Sequence, residues 1–194
     1  MRLLTRGLAA LFLCWLVNAP PVAAQRAATK WQGFWFGAGF GYGTAHLDCA
    51  GCIADDRSGV TAFIKIGGTP NPRLRLGFEL NVWTKHGPSL TQRIGNLSGT
   101  LSYHPTPPVP FFLKVGAGVG FSRFKSETGG PSRALGLGGT LGIGADARIG
   151  RHVSLTPVAN LYMGMDGDQT SSGVILGESV THRIVELGLG VTLH

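Results

Sequence analysis

The chain has 194 residues, enough for one domain. Only 14% of them are charged and 31 are glycine, and no apolar run long enough for a membrane-spanning helix occurs after the first 25 residues. The formal net charge of +7 is scattered along the chain and not gathered into a basic stripe, which excludes nucleic acid as the expected partner.

The amino-terminal segment stands apart. Arg2 and Arg6 precede an apolar block, Leu8 to Val17, and then come Pro20, Pro21 and the small residues Val22-Ala23-Ala24 before Gln25. A basic part, an apolar part and a small-residue cleavage site define a secretory signal peptide over 1–24, and the apolar block is short for an uncleaved anchor. Residues 25–30 then form a short link and 31–194 a single domain. Leu13 precedes Cys14, where a lipoprotein cysteine would follow a small residue. Cleavage after Ala24 removes two of the 17 basic residues and no acid, leaving 15 against 10, a net +5. It also leaves Cys49 and Cys52, and an even pair in an exported chain favours a disulfide.

From Trp31 onward the hydrophobic period is two, the period of strands. The first strand, Trp31 to Thr44, sets Phe34, Phe36, Ala38, Phe40 and Tyr42 against a face that is mostly glycine. Ala45 to Ser58 is polar and reads as a loop. The second strand, Gly59 to Gly68, has Val60, Ala62, Ile64 and Ile66 on one face and Phe63 and Lys65 on the other, and Thr69-Pro70-Asn71-Pro72 reads as a tight turn. The third, Arg73 to Thr84, alternates Leu74, Leu76, Phe78, Leu80 and Val82 with Arg75, Glu79 and Asn81. The fourth, Thr91 to His104, opposes Leu97, Leu101 and Tyr103 to Asn96, Ser98, Thr100 and Ser102, before a proline-dense turn over 105–110.

The fifth strand, Phe111 to Phe121, shows the pattern most plainly. Phe111, Leu113, Val115, Ala117, Val119 and Phe121 make one continuous apolar face, and Lys114 and three glycines share the other with Phe112. Ser122 to Ser132 is polar. The sixth strand, Arg133 to Ile149, places Leu135, Leu137, Leu141, Ile143, Ala145 and Ala147 opposite Thr140, Asp146, Arg148 and several glycines. Gly150-Arg151 is a minimal turn. The seventh, His152 to Met165, contains Pro157, which cannot donate a ladder bond and predicts a bulge or break. Asp166 to Ser179 reads as a polar loop, and the eighth strand, Thr181 to His194, sets Val185, Leu187, Leu189, Val191 and Leu193 against Glu186, Gly188, Gly190 and Thr192.

Eight such strands with one greasy and one small or polar face predict an all-β, eight-stranded antiparallel up-and-down transmembrane barrel with its greasy side to lipid. The connections after strands two, four and six are short, and those after one and seven are long, so the tight turns and both termini are expected on the periplasmic side. The apolar alternation stops at Leu193, one place before the terminal His194.

Stretches such as Trp31-Gln-Gly-Phe-Trp-Phe-Gly-Ala-Gly-Phe40 and Glu186-Leu-Gly-Leu-Gly-Val-Thr-Leu193 give residues 31–194 a sequence that resembles the small eight-stranded outer-membrane barrels: the membrane domain of outer-membrane protein A, outer-membrane protein X and the opacity-like proteins. The resemblance implies a cell outer-membrane location in a Gram-negative-type envelope. It implies contact with outer-membrane lipid and lipopolysaccharide, insertion by the barrel-assembly machinery, and a monomer. That fold hosts adhesins, structural anchors and a few lipid-modifying enzymes, so the resemblance does not choose an activity.

The inward face carries Lys65, Arg75, Glu79, Lys114, Asp146, Arg148 and Glu186. Eight strands enclose a lumen only wide enough to be filled by side chains, and charges buried there must pair. An internal ion-pair network is therefore expected, with Glu79, Asp146 and Glu186 as acids and Lys65, Arg75 and Lys114 as bases. The alternative is a narrow gated channel, for which the many inward glycines leave room for water. Cys49-Ala-Gly-Cys52 lies near His46, Asp48, Asp55 and Asp56. CxxC is half a zinc site, but a small loop disulfide is the expectation, with no metal and no cofactor. Lipid A deacylases of this architecture use a His and a Ser two residues apart. His152 and Ser154 have that spacing, but their inward parity at the periplasmic end faces away from the substrate leaflet, so no enzyme is expected. His86 and His104 are expected to be solvated. Arg123, Lys125 and Arg133 flank the third outer loop and are placed to meet lipopolysaccharide phosphates. The expected role is structural or surface-interacting; a deacylase-like enzyme is the rival.

Overall fold

The structure is a computed structural model that describes residues 33–49, 55–87, 90–106, 109–126, 132–171 and 174–194. The predicted signal segment, the 25–30 link and Trp31 lie outside the described residues. The elements are β1 (Gly33–Cys49), β2 (Asp55–Asn71), β3 (Leu74–His86), β4 (Leu90–Tyr103), β5 (Phe111–Ser126), β6 (Ser132–Ala145), β7 (Ala147–Arg148), β8 (Val153–Ser171) and β9 (Val174–Leu193). Chain neighbours from β1 to β6 pair antiparallel, β8 pairs with both β6 and β9, and β9 pairs with β1, so the sheet closes on itself. β6 and β7 are two pieces of one stave, which makes an eight-stranded antiparallel barrel. Closure leaves no row of unpaired N–H and C=O groups at an edge.

Period-two alternation decides which side chains leave the cylinder. Phe40 is 73% exposed and Leu137 and Leu187 are each 70% exposed, while Trp83 and Glu186 are fully buried. The apolar face of β5 from Phe111 to Val119 is exposed, and Lys114 and Phe112 on its other face are buried. A water-soluble monomer rarely exposes an apolar patch larger than a few hundred Å². Here such a surface surrounds the barrel on every stave.

Four predicted loops are strand in part. β1 continues through Ala45 to Cys49 and β2 begins at Asp55, so most of the predicted Ala45–Ser58 loop is ladder, including the residue-by-residue pairing of Ala45 with Arg57 and His46 with Asp56. β5 runs on to Ser126, β8 and β9 occupy most of 166–179, and Thr69 to Asn71 belong to β2, with an irregularity between Gly68 and Asn71. The extensions of β1, β2 and β5 share one cause. Beyond the apolar band the outward residues face water and turn polar, so the hydrophobic signal stops while the hydrogen-bond ladder continues.

The predicted break at Pro157 is present, displaced to the neighbouring stave. β8 runs through Pro157 without interruption and keeps its register with β9. The β6–β8 ladder ends at Gly144↔Val158 and resumes at Ala147↔Leu155, with no residue inserted. Asp146 N–H donates to the Pro110 carbonyl at 2.9 Å, on the β5 side. Backbone polar groups alternate sides along a strand, so Ala145 turns its groups toward β8, opposite Pro157. The missing proline N–H is the missing rung. Ala145, expected outward with Ile143, is instead buried at this break.

Candidate functional site

The lumen is built in layers, and β3 contributes a side chain to each: Arg75, Glu79, Asn81 and Trp83 in order from the tight-turn end. At the first layer Asp146 pairs with Arg75, accepts from Thr156 Oγ1 at 2.8 Å, and stands 3.5 Å from His104 Nε2. Thr156 Oγ1 and Thr192 Oγ1 are 2.9 Å apart. In the next layer Lys114 Nζ donates to both oxygens of Glu79, at 2.6 and 2.7 Å, and Tyr162 donates to the same carboxylate at 2.9 Å. Lys65 Nζ lies 5.9 Å from the Trp35 ring and 5.7 Å from the Phe112 ring, within cation–π reach. Glu186 accepts from Asn81 at 2.9 Å and Asn160 at 2.8 Å.

Above the carboxylates, Asn96 donates to the Met163 carbonyl at 2.7 Å, which leaves its amide oxygen to accept from His182 Nε2 at 3.0 Å. An apolar cluster of Ala45, Trp83, Ile94, Tyr162 and Ile184 then fills the outer half, with Leu47 against it. Trp83 Nε1 donates to the Gly43 carbonyl at 3.0 Å, so the largest ring in the plug leaves no polar atom unsatisfied.

Of the residues expected to form an ion-pair network, Lys65 has no acid partner among the described residues and faces the Trp35 and Phe112 rings instead, and two further members also differ from expectation. Glu79–Lys114 and Arg75–Asp146 are the predicted kind of pair. Glu186, expected beside a lysine or arginine, is held by two carboxamides, and Arg148 sits half-buried near the turn, donating to the Arg151 carbonyl at 3.3 Å. His104, expected in solvent, is buried against Asp146 and 5.4 Å from the Phe112 ring. It follows the last residue of β4, and its N–H bonds to the Arg73 carbonyl, which carries it over the lumen mouth. Asn81, Asn96, Asn160, Tyr162 and His182 were missed as network members. Their inward parity was legible, but which strands face each other across the lumen was not.

At three inward glycines the space is taken by side chains of neighbouring strands. A Cβ on Gly37 would lie 2.6 Å from Lys65 Cε, one on Gly144 would lie 2.5 Å from the Phe112 ring, and one on Gly67 would lie 2.7 Å from Trp35. Each glycine makes space for a large side chain from a neighbouring strand. What remains among Trp35, Lys65, Arg75, Glu79, Phe112 and Lys114 is a cavity of about 10 Å³, room for about one water.

His152 and Ser154 do not share an environment. His152 is exposed in the bend before β8, and Ser154 is fully buried inside. His46 Nδ1 lies 2.6 Å from Asp56 Oδ1 on the outer extension of β1 and β2. Cys49 ends β1 instead of lying in a loop, and Cys52 lies outside the described residues. His86 is exposed, and so are Arg123, Lys125 and Arg133.

A closed antiparallel cylinder, apolar outside and packed with polar groups inside, defines a small transmembrane β-barrel. The sequence matches no protein-family model and no curated protein. Solved structures do match. Neisserial surface protein A aligns at 19% identity over 83% of this chain and 96% of that chain, with a TM-score of 0.55. Ail, the attachment invasion locus protein of Yersinia pestis, aligns at 11% identity over 82% and 99%, TM-score 0.47, and the outer membrane protein OprG from Pseudomonas aeruginosa at 14% over 84% and 97%, TM-score 0.46. The chain has the fold of the small eight-stranded outer-membrane barrels.

Proposed function

We propose that the protein is an integral, non-catalytic β-barrel of the cell outer membrane, with a structural or surface-interacting role. The observation that carries the reading is the pairing of an exposed apolar girdle with a sealed interior. Among the described residues no protein layer covers the girdle, and hydrocarbon is the medium in which it costs nothing to expose. The interior leaves a cavity of about one water between its ion pairs and an apolar plug beyond them, which supports a closed lumen over a conducting one. His152 is exposed while Ser154 is fully buried, which argues against a deacylase-like pairing of the two. Interaction then falls to the outer extensions of β1, β2, β8 and β9, which continue past the apolar band.

The test is reconstitution. In lipid vesicles the exported form is expected to run as a compact, heat-modifiable band, to resist protease, and to give no conductance steps in a planar bilayer. A chain that stays soluble and monomeric without detergent overturns the membrane reading. Discrete conductance steps overturn the closed lumen alone, and a changed acyl content of lipid A in cells carrying the protein overturns the non-catalytic role.

A further inference from the structure

The registers of β4, β5 and β6 bring together three arginines that lie far apart in the sequence. Arg93 pairs with Arg123 across β4 and β5, and Arg123 pairs with Arg133 across β5 and β6. All three are exposed and share the outward parity of Leu97, Val119 and Leu137. Adjacent strands are about 4.8 Å apart, so the guanidinium bases stand in a row roughly 10 Å long. Like charges directly opposite one another in a sheet are destabilising.

Among the described residues no ion pair reaches any of the three. Of the acids whose side chains are described, Glu79, Asp146 and Glu186 point into the lumen, Asp56 holds His46, and Asp48 lies on β1, beyond β2 and β3 from the row. Followed the other way, the same row reads Thr84, Val60 and Tyr42 on β3, β2 and β1, so the positive charge is confined to one side of the barrel. Lys125, opposite Thr91, adds a cation one outward position further along β5.

The height of the row is informative. On β5 the outward apolar run extends from Phe111 to Phe121, and Arg123 is the next outward residue. Ten residues of strand rise about 33 Å, and a tilt of about 40° reduces this to about 25 Å, the height of a barrel's apolar band. The row therefore stands where the hydrocarbon ends, at the end of the barrel away from the tight turns. Anionic headgroups lie at that level, and arginine binds phosphate through two parallel charge-assisted bonds.

We propose that Arg93, Arg123 and Arg133 form a binding site for the phosphate groups of a phosphorylated glycolipid of the outer leaflet, with Lys125 assisting. The site rests on the membrane reading above. It explains why three like charges share one row: the counter-charge comes from the lipid.

The test uses the protein in nanodiscs of zwitterionic phospholipid, with and without bisphosphorylated lipid A. Insertion is read separately by protease protection, so a chain that fails to insert sinks the membrane reading, and this site with it, on that readout. An inserted protein that ignores lipid A sinks the site alone. Lipid A is expected to bind the wild type, and the R93Q/R123Q/R133Q variant is expected to bind at least about tenfold more weakly, as loss of charge-assisted bonds implies. R183Q, which removes an exposed cation on β9, is expected to bind as the wild type does. The single variant R123Q provides a signed readout even if the triple variant does not fold. Its urea midpoint should exceed the wild type's in zwitterionic lipid, where repulsion is relieved, and fall below it with lipid A present. Equal binding by the triple variant, equal loss in R183Q, absence of the sign reversal, or equal binding of dephosphorylated lipid A overturns the proposal. So does saturation of the row by pyrophosphate alone in zwitterionic discs, which would identify a free phosphate as the ligand.

Discussion

Glu79 illustrates what a single buried charge requires here. Its carboxylate takes two bonds from Lys114 and one from Tyr162. Replacing Lys114 by Met leaves the buried Glu79 carboxyl with only the tyrosine, and breaking a buried pair in this way costs about 3–5 kcal/mol. The double variant E79Q/K114M removes the charge as well and is expected to recover a large part of that loss. Denaturant unfolding in vesicles measures both, and equal destabilisation by the single and double variants would mean that the pair is not what holds this layer. Glu186 has a different support, because Asn81 and Asn160 have no charge to offer. The alternation along β3 and β9 showed that Asn81 and Glu186 face inward. It did not show that they meet, since 105 residues separate them and only barrel closure brings them together.

At the scale of the strand, glycines have two opposite meanings. Gly41 faces inward, and a Cβ there would lie 2.6 Å from the Leu187 carbonyl oxygen and 2.6 Å from Thr61 Oγ1. Backbone cannot give way cheaply, so Gly41→Ala is expected to destabilise by about 1–3 kcal/mol. Gly139 faces outward with nothing nearer than 3.9 Å to such a Cβ. Gly139→Ala is therefore expected to leave the unfolding midpoint within error, and equal effects at the two sites would contradict the packing described. Pro157 carries a second strand-level prediction. Pro157→Val restores an N–H opposite the Ala145 carbonyl and is expected to add about 1 kcal/mol, the net value of a typical hydrogen bond. Slower amide exchange at position 157 than at exposed loop amides would show that the rung had formed.

For the molecule as a whole, the sign of one substitution separates lipid from water. Val115 lies near the middle of the β5 apolar face and is 49% exposed. On a water-facing surface Val115→Arg would change little, but at the bilayer midplane an arginine costs about 2–4 kcal/mol. A loss of that size in vesicle unfolding is expected, and no loss would place the girdle in water. The outer plug makes a second whole-molecule prediction. W83A/I94A empties the centre of the Ala45–Trp83–Ile94–Tyr162–Ile184 cluster and is expected to admit conductance absent from the wild type, because the polar layers beneath would then reach water.

Local alternation settled much of this protein unaided. With a period of two, each side chain's face follows from parity, so the eight staves, the outward girdle and the inward charges were legible from residue order. Pro157 likewise announced a missing rung because its lack of an N–H is covalent. Parity does not say where a strand ends once both faces are polar, so the sequence predicts loops where β1, β2, β5, β8 and β9 extend. Nor does it set register. Closure of the cylinder decided that Lys114 finds Glu79, that His104 is drawn over Asp146, that glycines house Phe112 and Trp35, and that Arg93, Arg123 and Arg133 stand abreast. These are relations between strands, and they are set by the hydrogen-bond ladder that joins one stave to the next.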